Sequence, residues 1–213
     1  MRPMLSRMRP WRAQDGGVLT KLLITLLVIA VLLFGGLYFF TKAQSPLALG
    51  DDVDVHLAFS DVLQNQGTTT EPKVALEPNG QIFIATTIHN TGRSTVTLTG
   101  LGTVGDESDV PYIPVEVRLG DGTATDQTAT APFTSTPLPP GGSVGVLVTY
   151  AVNPNLNCSL FSDLSAGSGT EIRSFPMRFT TYGIEDEQTL SFKHGIVTVE
   201  RPTRAGCGAA LGG

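Results

Sequence analysis

Two cysteines, three histidines and four acidic clusters carry the side chains best suited to site chemistry in this 213-residue chain. Cys158 and Cys207 are too few for a four-cysteine zinc site or a small disulfide scaffold. Neither belongs to a CxxC motif that would mark a redox catalyst. His56, His89 and His194 each fall on a different expected strand or turn, whereas copper or zinc needs two or three donors within ~2 Å of one ion. Methionine adds nothing, because only Met177 lies outside the N-terminal region. The acids form Asp51-Asp52-Val53-Asp54, Asp106-Glu107-Ser108-Asp109, Asp121 with Asp126, and Glu185-Asp186-Glu187, all at expected strand ends or in loops. They read as solvated loop charge. Calcium is the alternative, since it takes ~6–8 oxygens that inter-strand loops can supply, but none of the clusters matches an EF-hand. No Gly-x-Ser-x-Gly elbow, P-loop or zinc-protease helix is present, and no serine is set apart as a nucleophile. The expectation is therefore a non-enzyme with no cofactor, no metal ligand and no catalytic residue to name. LPPGG at Leu138 is internal, with no hydrophobic stop after it, so it is not a sortase signal. Asn157-Cys158-Ser159 is a formal glycosylation sequon whose middle residue is expected to be oxidised.

The elements that would hold these residues fall into two charge regimes. Residues 1–42 carry six bases against Asp15 alone, a net of +5, whereas residues 43–213 carry −10. An acidic body repels a phosphate backbone, so nucleic acid is not an expected partner. Between the regimes runs VLTKLLITLLVIAVLLFGGLYFF, Val18 to Phe40. At ~1.5 Å per residue this stretch spans ~34 Å, enough for a ~30 Å hydrocarbon core with some tilt. Its polar residues, Thr20, Lys21 and Thr25, gather at the start. The residues expected at the membrane interfaces are Trp11 and Lys21 on one side and Tyr38, Phe39 and Phe40 on the other, with Lys21 snorkelling to the headgroups. Gly35-Gly36 offers the closest helix–helix approach, although it is not a GxxxG face.

Four arginines precede the span, while Lys42 and then Asp51, Asp52 and Asp54 follow it. The positive-inside rule puts the N-terminus in the cytoplasm and the rest outside, a single-pass protein in contact with membrane lipid. The rival reading is a signal peptide cut after Ala43, but the apolar stretch exceeds the usual ~7–15-residue core of such signals. On the oxidising side, Cys158 and Cys207 are expected to pair. Closing ~50 residues would stabilise the fold by up to ~4 kcal/mol and hold the C-terminal tail.

Beyond the span the period changes to two. Val53, Val55, Leu57 and Phe59 alternate with polar or small residues, and QIFIATTIHN follows. Val96 with Leu98 comes next, then Ile113 to Leu119, Val144 to Val152, Phe175 to Phe179, and IVTVE. Seven or eight such runs between Gly, Pro, Asn and Asp clusters read as half-buried antiparallel strands. The fold class is all-β, an antiparallel immunoglobulin-like β-sandwich preceded by one transmembrane helix. No amphipathic helix is expected after Phe40, and 120–137 reads as a long loop, with strands of poor pattern as the alternative. The boundaries are a basic cytoplasmic segment 1–17, the helix 18–40, a linker 41–50, the sandwich 51–204 and a tail 205–213.

IFIATTIHNTGRSTVTLTGL and STPLPPGGSVGVLVTY resemble bacterial immunoglobulin-like surface domains, including the cell-adhesion-related type. There a strand ends in an Asn-Thr-Gly turn and a Pro-Gly turn precedes a later strand. The resemblance covers roughly residues 53–200 and implies a seven-stranded sandwich. The insertion at 102–137 departs from the compact pattern. The expected role is a non-catalytic interaction module at the outer face of a bacterial membrane, an accessory subunit or adhesion protein with a protein partner in the envelope. A glycan- or metal-binding module, with calcium or copper as the metal, is the alternative. Glycan binding would want aromatic platforms, yet the one tryptophan is Trp11. Of Tyr112, Tyr150 and Tyr182, the alternation assigns Tyr150 to the core. One outcome tests the uncleaved anchor: the membrane-extracted chain keeps its full intact mass, and a mature N-terminus at Gln44 would refute it.

Overall fold

The computed structural model describes residues 16–42, 45–57, 62–64, 73–76, 78–105, 108–120, 130–161, 169–193, 196–200 and 203–211. The chain divides into two compact units, Met1–Ala43 and Gln44–Gly213. In the first, α1 runs Gly16–Lys42 and contains an apolar stretch, Thr20–Phe39, long enough to cross a membrane and wholly unburied. Thr25 closes its hydroxyl onto the Lys21 carbonyl at 2.9 Å, so this polar side chain is satisfied within the helix. Tyr38 and Phe39 meet edge to face with centroids 5.9 Å apart. Trp11 lies outside the described residues, as does the side chain of Phe40.

The second unit is an antiparallel β-sandwich. Its described strands are β1 (Leu47–Leu57), β2 (Val62–Gln64), β3 (Lys73–Val74), β4 (Gln81–Asn90), β5 (Val96–Leu101), β6 (Tyr112–Gly120) and β7 (Ala131–Pro132). They continue with β8 (Thr136–Leu138), β9 (Ser143–Val152), β10 (Gly169–Ile172), β11 (Ser174–Thr181), β12 (Ile184–Ser191) and β13 (Val197–Glu200), and a short helix α2 (Arg204–Ala210) follows. One sheet has the order β2-β1-β4-β9-β6-β7 and the facing sheet β12-β11-β5-β8. A third, β10-β13-β3, prolongs the β11–β12 hairpin and holds a parallel pair, β13 with β3. A single core joins these layers, with Ile82, Ile84 and Ile88 from β4, Val146, Val148 and Tyr150 from β9, and Phe175, Met177 and Phe179 from β11. Each such side chain contributes about 1.5–3 kcal/mol by leaving water.

Several elements depart from the sequence reading. β1 begins at Leu47, within the segment read as linker, because Leu47 pairs with Asn90 and is itself core. Between Leu49 and Val53 the register slips, four steps of β1 against two of β4, and Asp51 and Asp52 are thrown out to solvent by this bulge. Glu185, Asp186 and Glu187, expected in a loop or at a strand end, lie inside β12. β7 and β8 occupy part of the stretch read as a loop, while residues 121–129 lie outside the description. α2 is a helix where none was expected. Thirteen strands are described rather than seven or eight, because β2, β3, β7, β8, β10 and β12 add to the seven runs of clear alternation.

One end of the sandwich is fastened by Asn90, which is 1% exposed. Its main chain exchanges bonds with the 141–142 turn, N–H to Gly142 O and Gly141 N–H to its own carbonyl, both 2.9 Å. Its side-chain amide donates to Ser94 O and Leu138 O at 2.8 Å, and its Oδ1 accepts the Gly92 N–H at 2.9 Å. The turn itself needs Gly141 at φ 74 after two prolines, a conformation that favours glycine. Replacing Asn90 with alanine leaves the Leu138 carbonyl buried without its partner. The expected loss is about 2–4 kcal/mol in urea denaturation of the full chain, at unchanged m-value.

Candidate functional site: an open cleft between strand edges

One concavity of the sandwich is a half-open cleft of about 310 Å³. It forms because β5 leaves its neighbour early. β5 pairs with β11 from Thr97 to Leu101, and the last rung is Gly102 N–H to Pro176 O at 2.9 Å. Gly102 must be glycine here, since a Cβ would lie 2.6 Å from the Glu187 carboxyl carbon and 2.7 Å from Pro176. Past this rung, Arg173 and Ser174 line the cleft, and among the described residues β10 has β13 as its one sheet neighbour. On the opposite wall stand Val110, Pro111, Ile113 and Pro114. β7 pairs with β6 at Arg118 and Leu119, so the β6 edge before these residues has no strand partner among the described residues.

Tyr150 forms the floor. It is 2% exposed, and its hydroxyl donates to Ser174 O at 3.0 Å, satisfying a carbonyl that β5 would have met had it continued. Burial pushes the Tyr150 hydroxyl pKa far above its ordinary value, so the group stays a neutral donor at every physiological pH. Tyr112, also buried, reaches the Ala75 carbonyl at 3.4 Å. At the rim Arg173 and Glu171 pair at 2.5 Å. The cleft thus offers apolar walls, strand edges and a fixed charge pair, which is the equipment of a binding groove.

The other sequence candidates lie elsewhere. Cys158 and Cys207 are bonded, with Cα atoms 5.6 Å apart, and Cys207 packs with Leu156 and Phe161. Asp51 sits on the β1 bulge beside Lys193, whose hydrogen bond and charge hold its carboxyl below the usual carboxylate range against a slight opposing desolvation; His89 adds to the lowering. The His89 ring covers Gly50, where a Cβ would stand 3.1 Å from its Nε2. The side chain of His56, all of His194, and Asp106, Glu107, Asp121 and Asp126 fall outside the described residues. Among the described residues, no three His, Cys, Asp or Glu side chains gather as metal ligands would. Sequence reasoning overlooked Glu171, Arg173 and Ser174, since nothing local marks residues whose importance comes from β5 turning away.

No protein-family model matches the chain, and no curated protein does. Among solved structures it is similar to the ASH/PapD-like domain 7 of human CEP192, at 10% identity and a TM-score of 0.26, over 75% of this chain and 93% of that one.

The cleft geometry generates one prediction. Tyr150→Phe keeps the ring but leaves Ser174 O unpaired, and should cost about 1–2 kcal/mol in thermal or urea unfolding. Unchanged stability would mean that water already serves this carbonyl.

Proposed function

We propose that the chain is a non-catalytic interaction module held at the outer face of a bacterial membrane by α1, with the N-terminus in the cytoplasm. Its partner in this reading is another envelope protein. α1 supports the anchor, because an unburied apolar helix of this length is costly in water and stable in lipid. The observation that carries the interaction role is the cleft, bordered by β10, which among the described residues pairs with β13 alone, and by the edge of β6 facing away from β9. An extended partner segment can bond to such an edge through its main chain while its alternate side chains fill the apolar walls. The Pro114 ring and the register slip between Pro114 and Glu116 blunt the β6 edge against indiscriminate pairing. This leaves β10 as the better acceptor.

Purification from the native membrane in mild detergent, with co-purifying proteins identified by mass spectrometry, tests the proposal. Thr103 is exposed at the cleft. Thr103→Trp should fill the space and lower recovery of a stoichiometric partner by about tenfold while leaving the melting temperature in place. A clean monomer, together with turnover of a substrate that a point mutation abolishes, would replace this reading with an enzymatic one.

A further inference from the structure

We propose that the end of the sandwich built by residues 91–95, 139–142 and Tyr182–Gly183 is a lipid-contacting surface that rests on an anionic bilayer. The inference rests on the membrane-anchored reading above. These three loops form one continuous end: Asn90 bonds both Ser94 and Gly142, and the Ser94 hydroxyl meets the Tyr182 hydroxyl at 2.5 Å. Tyr182 is 63% exposed and sits at φ 55, followed by Gly183 at φ 78. A two-residue hairpin needs positive φ at these positions, and asparagine serves the first far better than a bulky aromatic. The sequence nonetheless keeps tyrosine there, with its ring in solvent and its hydroxyl fastened to Ser94. An outward aromatic with a polar tip is the side chain that settles at headgroup depth.

The surroundings suit the same surface. Pro139, Pro140 and Gly141 are exposed and uncharged, and Arg93 is the one charged residue on the three loops. The unit as a whole is strongly acidic, so an acid-free end bearing an arginine is where it can approach anionic phosphates without repulsion. The chain also enters the sandwich at this end, where Pro46 O accepts both the N–H and the hydroxyl of Thr91 at 2.7 and 3.0 Å. In the sequence Pro46 follows the end of α1 by four residues.

The test uses the full chain in vesicles of phosphatidylcholine with one part in four phosphatidylglycerol. A Trp11→Phe background makes Tyr182→Trp the single tryptophan, and lipids brominated high on the acyl chain serve as quenchers. Tyr182→Trp should be quenched about twofold or more, with Thr95→Trp as a second reporter should the first disturb the turn, while Leu160→Trp should not respond. Quenching of Tyr182→Trp should also weaken in vesicles of phosphatidylcholine alone. If the chain stays in the vesicles after a carbonate wash and the reporters at 182 and 95 are no more quenched than the one at 160, the proposal fails and the anchor stands. A chain that washes off removes the anchor, and this inference with it.

Discussion

The sandwich depends on how Asn90 ends β4. A strand in the middle of a sheet finishes with main-chain groups pointing into its neighbours, and at that point two sheets must also be held in register. Asn90 answers both demands with one short side chain. Its main chain continues the ladder into the 141–142 turn, and its amide crosses to Leu138 and Ser94, which flank the facing sheet. Because the residue is buried, each of these bonds works in a low dielectric, where an unmade bond is expensive. Gly141 N–H reaches the Asn90 carbonyl, and Pro46 O is held by the next residue, Thr91, so the 141–142 turn and the entry of the chain meet beside Asn90. Asn153 repeats the device beyond β9, donating to Val110 O at 3.0 Å and accepting the Asn155 N–H at 2.9 Å.

The long strands were legible in the sequence because their alternation is driven by burial on one face. Phe175 to Phe179 reads correctly for that reason, whereas Val144 to Val152 alternates in sequence although both its faces are buried from Gly145 to Tyr150. β4 reads less simply, since Phe83 and Ala85 on its outer side are as buried as Ile82 and Ile84 on its inner one. β12 was invisible as a strand. Its inward positions are Ile184, Asp186, Gln188 and Leu190, and two polar residues among four erase the signal. α2 had no propensity to announce it, being seven residues with two glycines. It exists because Cys207 and Ala210 find a buried seat, the disulfide holds the segment in place, and Thr203 caps it by accepting the Gly206 N–H at 3.1 Å. The pairing of Cys158 with Cys207 was expected from their count and from the oxidising side on which the sequence reading put them. The cleft was not, because it assembles residues from β6, β9, β10 and β11 with no common local pattern.

A disulfide spanning 49 residues and a helix this short divide the stabilising work unequally. A free seven-residue peptide of this composition would not remain helical in water. The bridge raises the local concentration of α2 against Leu156 and Phe161, so a modest apolar contact suffices to order it. The last described residues are thus closed against the body by tertiary contacts rather than by helical propensity.

The same economy explains which surfaces remain open. At several points where a ladder stops, a side chain stands in for the missing strand: Tyr150 at Ser174, and Asp186 at the N–H of Glu187. Gln188 does so most fully, grasping both the N–H and the carbonyl of Leu47 at 3.1 and 2.7 Å. The Lys193–Asp51 pair then carries the seam between β1 and β12 onward, so the sandwich is closed along that side. Such substitutes satisfy the main chain, and they also occupy the positions an incoming strand would need. Asp186 is the clearest case, an acid set inward on an edge strand with its carboxylate already bonded to the adjacent N–H. β10 differs, since the structure describes one ladder, to β13, and a wall of apolar side chains facing it across the cleft. In the proposed binding mode β10 is therefore the edge that a partner strand would meet first, because Gln188 and Asp186 already occupy the main chain at β1 and β12.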